Sequence, residues 1–360
     1  MQIPKMVQEK MTQSIQKFSR LSALIPMLGF CLIAPNGAVA NEVANISAQP
    51  THSITQHPST VESLGGVPHN DKNTSLVAQT MNVTAPTSTI AKDAAVDEAD
   101  EPYQWRYALE DAKANKWEGL GAFAGITALG ASSWNWGSSD FHFNNENWFG
   151  KNTGSGGSDK LGHAFTSYAL TNAFAERLQA KGRSPARAAM SAGLMTTALM
   201  LYVEAFDGVS GDHGFSYEDV LMNTLGTGFA YLRQTNPRLK SLVDYRMEYK
   251  PSGYKGFRPL SDYEGQKYLL ALKFSGMKSL KDTPLKYFEL QTGYYSRGFS
   301  KQARADGKTR TQQGFVGIGV NLTELLFGTY DRDENQYKKW GRFTFEHVQI
   351  PYTYVRSTIK

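Results

Sequence analysis

The sequence predicts an α+β fold: a compact bundle of four to five short apolar helices followed by an antiparallel, aromatic-rich β-sheet. Two observations support this prediction. Between residues 103 and 236, apolar segments rich in Ala, Gly and Leu are separated by helix start and stop signals. From residue 237 onward, the apolar segments become shorter, aromatic and partly alternating, which is typical of strands.

The first 40 residues are predicted to be a secretory signal peptide. Four Lys and Arg residues precede an apolar run over residues 21–34, and the Ala-Val-Ala stretch at 38–40 is a small-x-small cleavage site. A noncleaved membrane anchor is the alternative, although the run is short for a span. The single cysteine, Cys31, follows the bulky Phe30, which argues against lipid attachment. The mature chain would therefore contain no cysteine, which excludes disulfide and thiol chemistry.

Residues 41–102 contain no Phe, Tyr or Trp and end in an acidic run. Such a segment cannot bury enough apolar surface to offset the entropy lost on ordering, so we expect a disordered tether. The net charge of +5 includes four basic residues and one acidic residue of the signal, which leaves about +2 for the mature chain. Because no dense basic cluster remains, we expect no nucleic-acid binding.

The helical part, residues 103–236, is predicted to contain five helices. They cover residues 103–116, 117–136, 159–181, 184–206 and 216–234. Gly182 and the pair Ser184-Pro185 separate the third helix from the fourth, and Pro237 follows the last. The charge-free runs in these helices are about 15 residues long, against roughly 20 needed to span a bilayer. Their content of small residues favours close packing, so we expect a tight bundle in or against a membrane, with true spans as the alternative.

The C-terminal part, residues 237–360, is predicted to be an antiparallel β region of five or six strands. Four aromatic segments support this, at 267–276, 286–299, 312–322 and 341–355. We expect the sheet to pack on the helices. The same aromatic density suits the girdles of an outer-membrane sheet with the helices as a plug, although usual barrels have about eight strands or more.

Three ionisable side chains lie at the start of the predicted third helix, after a Gly/Ser-rich loop. Asp159 and His163 are four residues apart and therefore share one helix face, and Lys160 lies beside them. Ser158 is a good N-cap and Asp159 favours the helix dipole, which is a structural explanation for that aspartate. His163 lies one turn inside, among apolar neighbours, where a hydrogen-bonded core histidine is the common alternative to a ligand.

More polar residues lie at the ends of the next two helices. Glu204 follows an uncharged run and, if it is buried, needs a partner. Ser216 and Asp219 form a capping box with Asp in place of Glu, and Asn223 lies one turn further on the same face. In an up-down-up bundle, the start, end and start of three successive helices lie at the same pole, so we expect these side chains to converge.

The converging side chains predict a polar site at this pole. The candidate catalytic residues are His163, Asp159, Glu204 and Asp219, and the candidate supporting residues are Lys160, Asn223 and Ser216. Acid–base chemistry is one role for the site. The same four candidate catalytic residues are also candidate ligands of a divalent metal, and no other cofactor is predicted. A buried hydrogen-bonded network that only fixes the bundle is the structural alternative.

The spacing of these residues resembles that of a known family. The pattern is Asp159-Lys160-x-x-His163, then Glu204, then Gly-Phe-Ser216-x-x-Asp219-x-x-x-Asn223-x-x-Gly226. It resembles the YfiM-like family of predicted periplasmic lipoproteins of unknown function over roughly residues 117–232, and it is more distantly similar to VanZ-like membrane proteins. The resemblance implies an envelope location and a candidate site, but no reaction. This sequence departs from the family in lacking a convincing lipobox and in carrying the tether and the C-terminal strands.

The expected function is that of an exported cell-envelope protein of unknown activity, in the periplasm or at the outer membrane of a Gram-negative bacterium. A structural, lipid-binding or partner-binding role at a membrane is the leading hypothesis, since the sequence has no familiar nucleophile elbow or phosphate loop. The alternative is a membrane-interface hydrolase or transferase that acts on an envelope lipid or glycan. A membrane or an envelope lipid is the expected partner, whereas the sequence identifies no protein partner, substrate or oligomeric state.

Overall fold

The computed structural model describes residues 102–254, 256–328 and 335–359. The predicted signal peptide, residues 1–40, and the predicted tether up to residue 101 lie outside this part of the chain. The division of the chain into four segments therefore stays a prediction.

Five helices occupy the first part of the described chain. They are α1 (Trp105–Ala114), α2 (Lys116–Ser133), α3 (Ser158–Ala180), α4 (Pro185–Asp207) and α5 (Tyr217–Thr235). Local signals set their ends: the Ser184 side chain accepts a hydrogen bond from the Arg187 amide, and Pro185 occupies the first position of α4. Helices α3, α4 and α5 pack against one another in all three pairs. The predicted helical bundle is confirmed.

Helix α4 lies at the centre of this bundle, where α1, α2, α3 and α5 all pack against it. Among the described residues it is the one helix that is long and apolar enough to cross a membrane, and 44% of its most apolar window is buried inside the protein. The central helix of a soluble bundle has the same length and composition, so these properties are weak evidence for a span.

A six-stranded sheet follows, with short helices in its connections. The elements are α6 (Pro237–Leu242), β1 (Val243–Tyr249), β2 (Gln266–Lys273), β3 (Phe288–Arg297), α7 (Lys301–Ala305), β4 (Thr311–Val320), α8 (Leu322–Phe327), α9 (Gln336–His347), β5 (Val348–Gln349) and β6 (Tyr354–Ile359). The strand order is β5-β1-β2-β3-β4-β6, and every neighbouring pair is antiparallel except β1 with β5. The predicted α+β class is confirmed, with this one parallel pair as an exception to the antiparallel pattern.

The segment predicted as a strand at residues 341–355 begins as a helix, so that prediction is wrong for its first half. Helix α9 continues to His347, and the Asn335 side chain caps its first turn. Phe343 stacks on His347 with ring centroids 4.2 Å apart, which is an i,i+4 contact of a helix. The alternating Phe-Thr-Phe stretch hid this helical spacing in the sequence.

Helix α3 packs across strands β1 and β2, and this contact forms a major part of the core. Phe165 and Tyr168 of the helix meet Tyr245 and Tyr268 of the strands in tilted and edge-on ring contacts. Each buried aromatic side chain contributes about 1.5–3 kcal/mol. The Tyr245 hydroxyl also donates a hydrogen bond to the Leu161 carbonyl, 2.9 Å away. The sheet thereby fixes the first turns of α3, where the polar residues lie.

Candidate functional site

Three helix ends meet at one pole of the bundle and bring the predicted polar residues together. Asp159 lies in the first turn of α3, Glu204 in the last turn of α4 and Asp219 in the first turn of α5. Glu204 is fully buried and does not reach the solvent. The side chains that meet here form the His163 cluster, which consists of Glu146, Asp159, Lys160, His163, Glu204, Asp219 and Asn223.

The loop before α3 ends in a glycine with a backbone conformation that side-chain-bearing residues rarely adopt. Gly157 is the N-cap of α3 and has a φ angle of 89°. Ser158 is the first helical residue, so the prediction that it is the N-cap is wrong. The Ser155 hydroxyl instead accepts a hydrogen bond from the Asp159 amide at 3.2 Å. Strand β3 anchors this loop, because Ser296 donates to the Ser155 carbonyl at 2.5 Å.

The close crossing of α3 and α5 depends on Gly226. A Cβ atom at this position would lie 2.0 Å from the carbonyl oxygen of Ala164, so any larger residue must move a helix. Asn223 lies one turn before Gly226 on the same helix face. The crossing therefore brings the Asn223 side chain to His163, and it explains the glycine in the sequence pattern.

The imidazole of His163 lies between acidic groups on both of its nitrogens. Its Nδ1 atom is 3.2 Å from Oε1 of Glu204, and its Nε2 atom is 3.8 Å from Oδ1 of both Asp159 and Asp219. The Glu204 side chain is fully buried, whereas 15% of the His163 side chain is exposed. Asn223 donates from Nδ2 to Glu204 at 3.0 Å. A buried acid thus lies against one ring nitrogen and leaves the other facing the aspartates.

Lys160 carries its ammonium group among three carboxyl groups. Its Nζ atom lies 2.5 Å from Glu146, 2.8 Å from Asp219 and 3.2 Å from Asp159. Only 3% of the Lys160 side chain is exposed. Burying an unpaired ammonium costs several kcal/mol, so these partners are what allows Lys160 to stay charged in this position.

Ser216 holds the start of α5. Its hydroxyl accepts a hydrogen bond from the Asp219 amide at 3.3 Å and donates to Glu218 at 3.1 Å. The cap expected from the sequence is therefore present. The Asp219 carboxylate faces Lys160, so this aspartate belongs to the His163 cluster and is not explained by capping alone.

Two residues of the site were missed by the reasoning from sequence. Glu146 belongs to the loop between α2 and α3, and Tyr263 to the connection between β1 and β2. The Tyr263 hydroxyl donates a hydrogen bond to Asp159, 104 positions away along the chain. Neither residue stands at a helical spacing from the others. If Lys160 is buried, its ammonium group needs acidic partners. This requirement was the one signal in the sequence for a further acid such as Glu146.

Burial and neighbouring charges set the protonation of His163 and Glu204. Burial alone would lower the pKa of His163, but the Asp219 and Glu204 carboxylates raise it well above its ordinary value. Burial raises the pKa of the Glu204 carboxyl, and the imidazole of His163 offsets this only in part. The pair therefore retains protons that isolated side chains would release, and such coupled groups are common in acid–base sites.

The two acids around Lys160 are shifted in opposite directions. Burial, together with the charges of Asp159 and Asp219, raises the pKa of Glu146 to about 8. Burial also acts to raise the pKa of Asp159, but His163 and Lys160 outweigh it and hold that pKa below its ordinary value. One acid thus favours its protonated form and the other its charged form, which is the division of roles expected of an acid–base pair.

Asp207 and His213 are further ionisable residues close to the cluster. Burial raises the pKa of Asp207 to about 8, although Trp136 donates a hydrogen bond to this carboxyl at 2.6 Å. Burial lowers the pKa of His213, which favours its neutral form. Both residues line the same cavity as His163.

Three of the four predicted metal ligands lie close enough together to hold a divalent cation. Asp159, His163 and Asp219 each offer one ligand atom, and these atoms lie within 4.8 Å of one another. Glu204, the fourth predicted ligand, lies against the opposite ring nitrogen, where a carboxylate commonly orients a metal-binding histidine. Lys160 pairs with the same two aspartates, so a cation would have to share them with its ammonium group.

A cavity of about 80 Å³ opens beside the His163 cluster. Its ionisable wall includes Glu146, Asp159, His163, Asp207, His213 and Asp219. Its apolar wall includes Ile126, Phe165, Met200, Val203, Met247 and Leu260. A water molecule takes up about 30 Å³ in the liquid, so the cavity has room for a group of a few heavy atoms.

Comparison with known families agrees with the resemblance seen in the sequence. Residues 145–235 match the model of the family described as predicted periplasmic lipoprotein (DUF2279), and the resemblance to this family is confirmed. The matched segment contains every member of the His163 cluster. No curated protein and no solved structure matches the chain. The family description supports a periplasmic or envelope location, and the similarity to VanZ-like proteins stays a prediction.

Proposed function

We propose that this cell-envelope protein binds a hydroxyl-bearing polar group of an envelope lipid or glycan in the cavity beside His163. The observation that carries the proposal is the cavity wall, which is ionisable on one side and apolar on the other. The ligand would place its hydroxyl group against the His163 cluster and the few carbon atoms next to that hydroxyl against Met200, Val203 and Met247.

The charges around the cavity favour a hydroxyl group over an anion. The carboxyl groups of the region belong to Glu146, Asp159, Glu204, Asp207 and Asp219. They outnumber the two cationic side chains, and the Lys160 ammonium is already paired with three of them. Burial favours the neutral form of Glu146, Glu204 and Asp207, and the charged Asp159 and Asp219 already pair with Lys160 and His163, so an anion would have to compete with them for these cations. A hydroxyl can donate a hydrogen bond to a carboxylate and accept one from the imidazole.

Mass spectrometry of molecules extracted from the purified full chain tests the proposal. Protein isolated in mild detergent from its own envelope should carry a lipid or glycolipid in near-stoichiometric amount, and His163→Gln should lose it. His347→Gln is the matched control, because His347 is also buried but does not line the cavity. Equal amounts in the wild type and H163Q, or no bound molecule in the wild type, would contradict the proposal.

A hydrolase or transferase acting on the same ligand is the second candidate. One arrangement favours it: Glu204 lies against Nδ1 of His163, and Nε2 faces the two aspartates that line the cavity. Because its pKa is raised, the His163 imidazolium would serve as the general acid that protonates a leaving group, and a charged aspartate such as Asp159 would accept the proton of the attacking hydroxyl or water.

Conversion of an envelope lipid extract, followed by chromatography and mass spectrometry, tests this second candidate. Glu204→Gln preserves the shape of the side chain and removes its acid. We expect wild-type protein to form a product at least about 100-fold faster than E204Q, since general acid–base catalysis contributes on that order. Equal conversion by both proteins, or no conversion by the wild type, would exclude it.

A further inference from the structure

One face of the sheet is apolar, and helix α3 covers it at Tyr245 and Tyr268 but leaves much of the remainder, over β3, β4 and β6, exposed. Strand pairing places Leu290 opposite Ile318, and Ile318 opposite Val355, and residues directly opposite each other share a face. The exposed apolar side chains of this face include Leu270, Leu290, Val316, Ile318, Val355 and Ile359. Val355 exposes 82% of its surface. In water-soluble antiparallel sheets, a face of this composition packs on the core.

The opposite face of the same sheet is buried over β1 to β4, and it combines an apolar cluster, Leu269, Ala271, Tyr295 and Phe315, with charged and polar side chains. Arg246 pairs with Asp244 at 2.6 Å and with Glu289 at 2.7 Å, and all three side chains are almost completely buried. Gln291 donates a hydrogen bond to Glu289 on the same face at 2.7 Å. An exposed apolar area backed by buried charged side chains shares this feature with lipid-facing sheets.

Helix α5 extends the apolar surface beyond the sheet. Leu221, Leu225 and Leu232 are about half exposed, and their spacing places them on one side of the helix. A groove of about 480 Å³ lies between α5 and the sheet, and its walls include Leu225 and Leu270. The helix stripe and the sheet face therefore border one groove and form a continuous apolar surface, which marks an interaction site.

The distribution of charge indicates the chemistry of the partner. Residues 237–360 contain 22 Lys and Arg against 12 Asp and Glu, a net charge of +10, whereas residues 103–236 contain 10 against 12. Both connections that flank the exposed strands are basic. The β2–β3 connection, 274–287, has three Lys and one acid, and the β3–β4 connection, 298–310, has four Lys and Arg and one acid. Basic side chains on both sides of an apolar face suit anionic lipid headgroups.

We propose that this apolar face binds an anionic lipid bilayer, with the sheet lying flat at the boundary between headgroups and acyl chains. In this orientation the two basic connections reach the headgroups at both ends of the strands, while Ile318 and Val355 enter the acyl region. A bilayer fits this surface better than a second copy of the chain, because two regions with a net charge of +10 repel each other.

Flotation of the purified full chain with lipid vesicles tests the proposal. Phosphatidylcholine vesicles with about 30% phosphatidylglycerol should bind the wild type at least about ten-fold more strongly than pure phosphatidylcholine, and added salt should weaken this binding. Ile318→Glu combined with Val355→Glu should lower binding at least about ten-fold. Val355→Glu alone should also lower binding, and Thr358→Glu is its matched control, because it adds the same single charge to an exposed position of β6 on the opposite face.

Leu225→Glu on α5 is a second, independent variant that should also weaken binding. Because Leu225 lies outside the sheet, this variant tests the proposal even if the sheet variants fail to fold. Equal flotation of the wild type, the double variant, L225E and T358E would overturn the proposal, as would a wild type that does not bind anionic vesicles. A wild-type dimer in light scattering that I318E dissociates would show a second copy on this face and would overturn it as well.

Discussion

Two buried clusters of charged side chains in this protein differ in their protonation: one keeps its charges, and the other keeps protons. In the sheet, Asp244 is paired with Arg233, Arg246 and Lys273 at 2.6–2.7 Å. These cations outweigh burial and hold the pKa of Asp244 below its ordinary value. Asp244 and its three cations, here called the sheet cluster, therefore keep their charges. In the His163 cluster, burial raises the pKa of Glu204 and the neighbouring acids raise the pKa of His163, so the two groups as a pair keep protons that isolated side chains would release.

The difference shows which features separate a structural network from a site. Both clusters contain buried polar atoms without a hydrogen-bond partner, such as Oε2 of Glu204 and Nε of Arg246, so incomplete hydrogen bonding does not distinguish them. The position of the cavity distinguishes the two clusters, because the cavity is lined by His163 and Asp219 but not by Asp244. Raised pKa values beside a cavity support the proposed ligand site, whereas ion-paired charges away from the cavity support a structural role.

Asp244→Asn should produce the largest loss of stability, because it leaves the buried cations of the sheet without their shared acid. We expect the free energy of unfolding, measured with urea, to fall by about 3–5 kcal/mol. Asp282→Asn is the control, since 81% of the Asp282 side chain is exposed, and it should change stability by less than about 0.5 kcal/mol. A loss below about 1 kcal/mol for D244N would contradict the structural role of the ion pairs around Asp244.

Gly226→Ala should have the second largest effect, because its Cβ would collide with the Ala164 carbonyl where α3 crosses α5. We expect a loss of about 1–3 kcal/mol in urea unfolding. Gly228→Ala in the same helix is the matched control, because a Cβ there meets no atom within 4 Å, and it should stabilise by up to about 1 kcal/mol. If both variants were equally stable, the crossing would not hold the cluster together.

Asp207→Asn should change the pH dependence of stability. The raised pKa, about 8, means that the protonated carboxyl stabilises the fold below about pH 4, and that this contribution is lost as the pH rises toward 8. Asparagine cannot ionise and still accepts the hydrogen bond from Trp136. Relative to the wild type, D207N should therefore gain about 1 kcal/mol or more between pH 5 and pH 9. A stability difference that is the same at both pH values would show that Asp207 is charged at neutral pH.

Glu204→Gln should have the smallest effect on stability. The amide keeps the shape of the side chain and its contact with Asn223, and it removes an acid that burial disfavours. We expect the unfolding free energy to change by less than about 1 kcal/mol, in either direction. A loss comparable to that of D244N would make the His163 cluster a second structural network.

Reasoning from sequence could predict the part of the site that depends on local signals. Asp159, Glu204 and Asp219 lie near helix ends that caps, glycines and prolines define, and the up-down-up order of three helices then places them together. The same signals located the helices and separated the helical part from the strands.

The rest of the site depends on contacts between distant segments. Tyr263 reaches Asp159 only because the sheet packs on α3, and Glu146 reaches Lys160 from an irregular loop. The helix at residues 336–347 was hidden because an aromatic pair at i,i+4 spacing also fits an alternating pattern. The exposed apolar area on one face of the sheet likewise follows from the strand register, which periodicity alone does not supply.

The protonation of His163 tests the central claim most directly, because the claim is that this cluster retains protons beside a cavity. We would follow the ring carbons of isotopically labelled histidine by NMR from pH 5 to pH 9, and assign His163 by its loss in His163→Gln. The account predicts an imidazolium that persists well above the ordinary pKa of about 6.5 in the wild type and titrates lower in Glu204→Gln. A His163 signal that titrates near 6.5 in both proteins would contradict it.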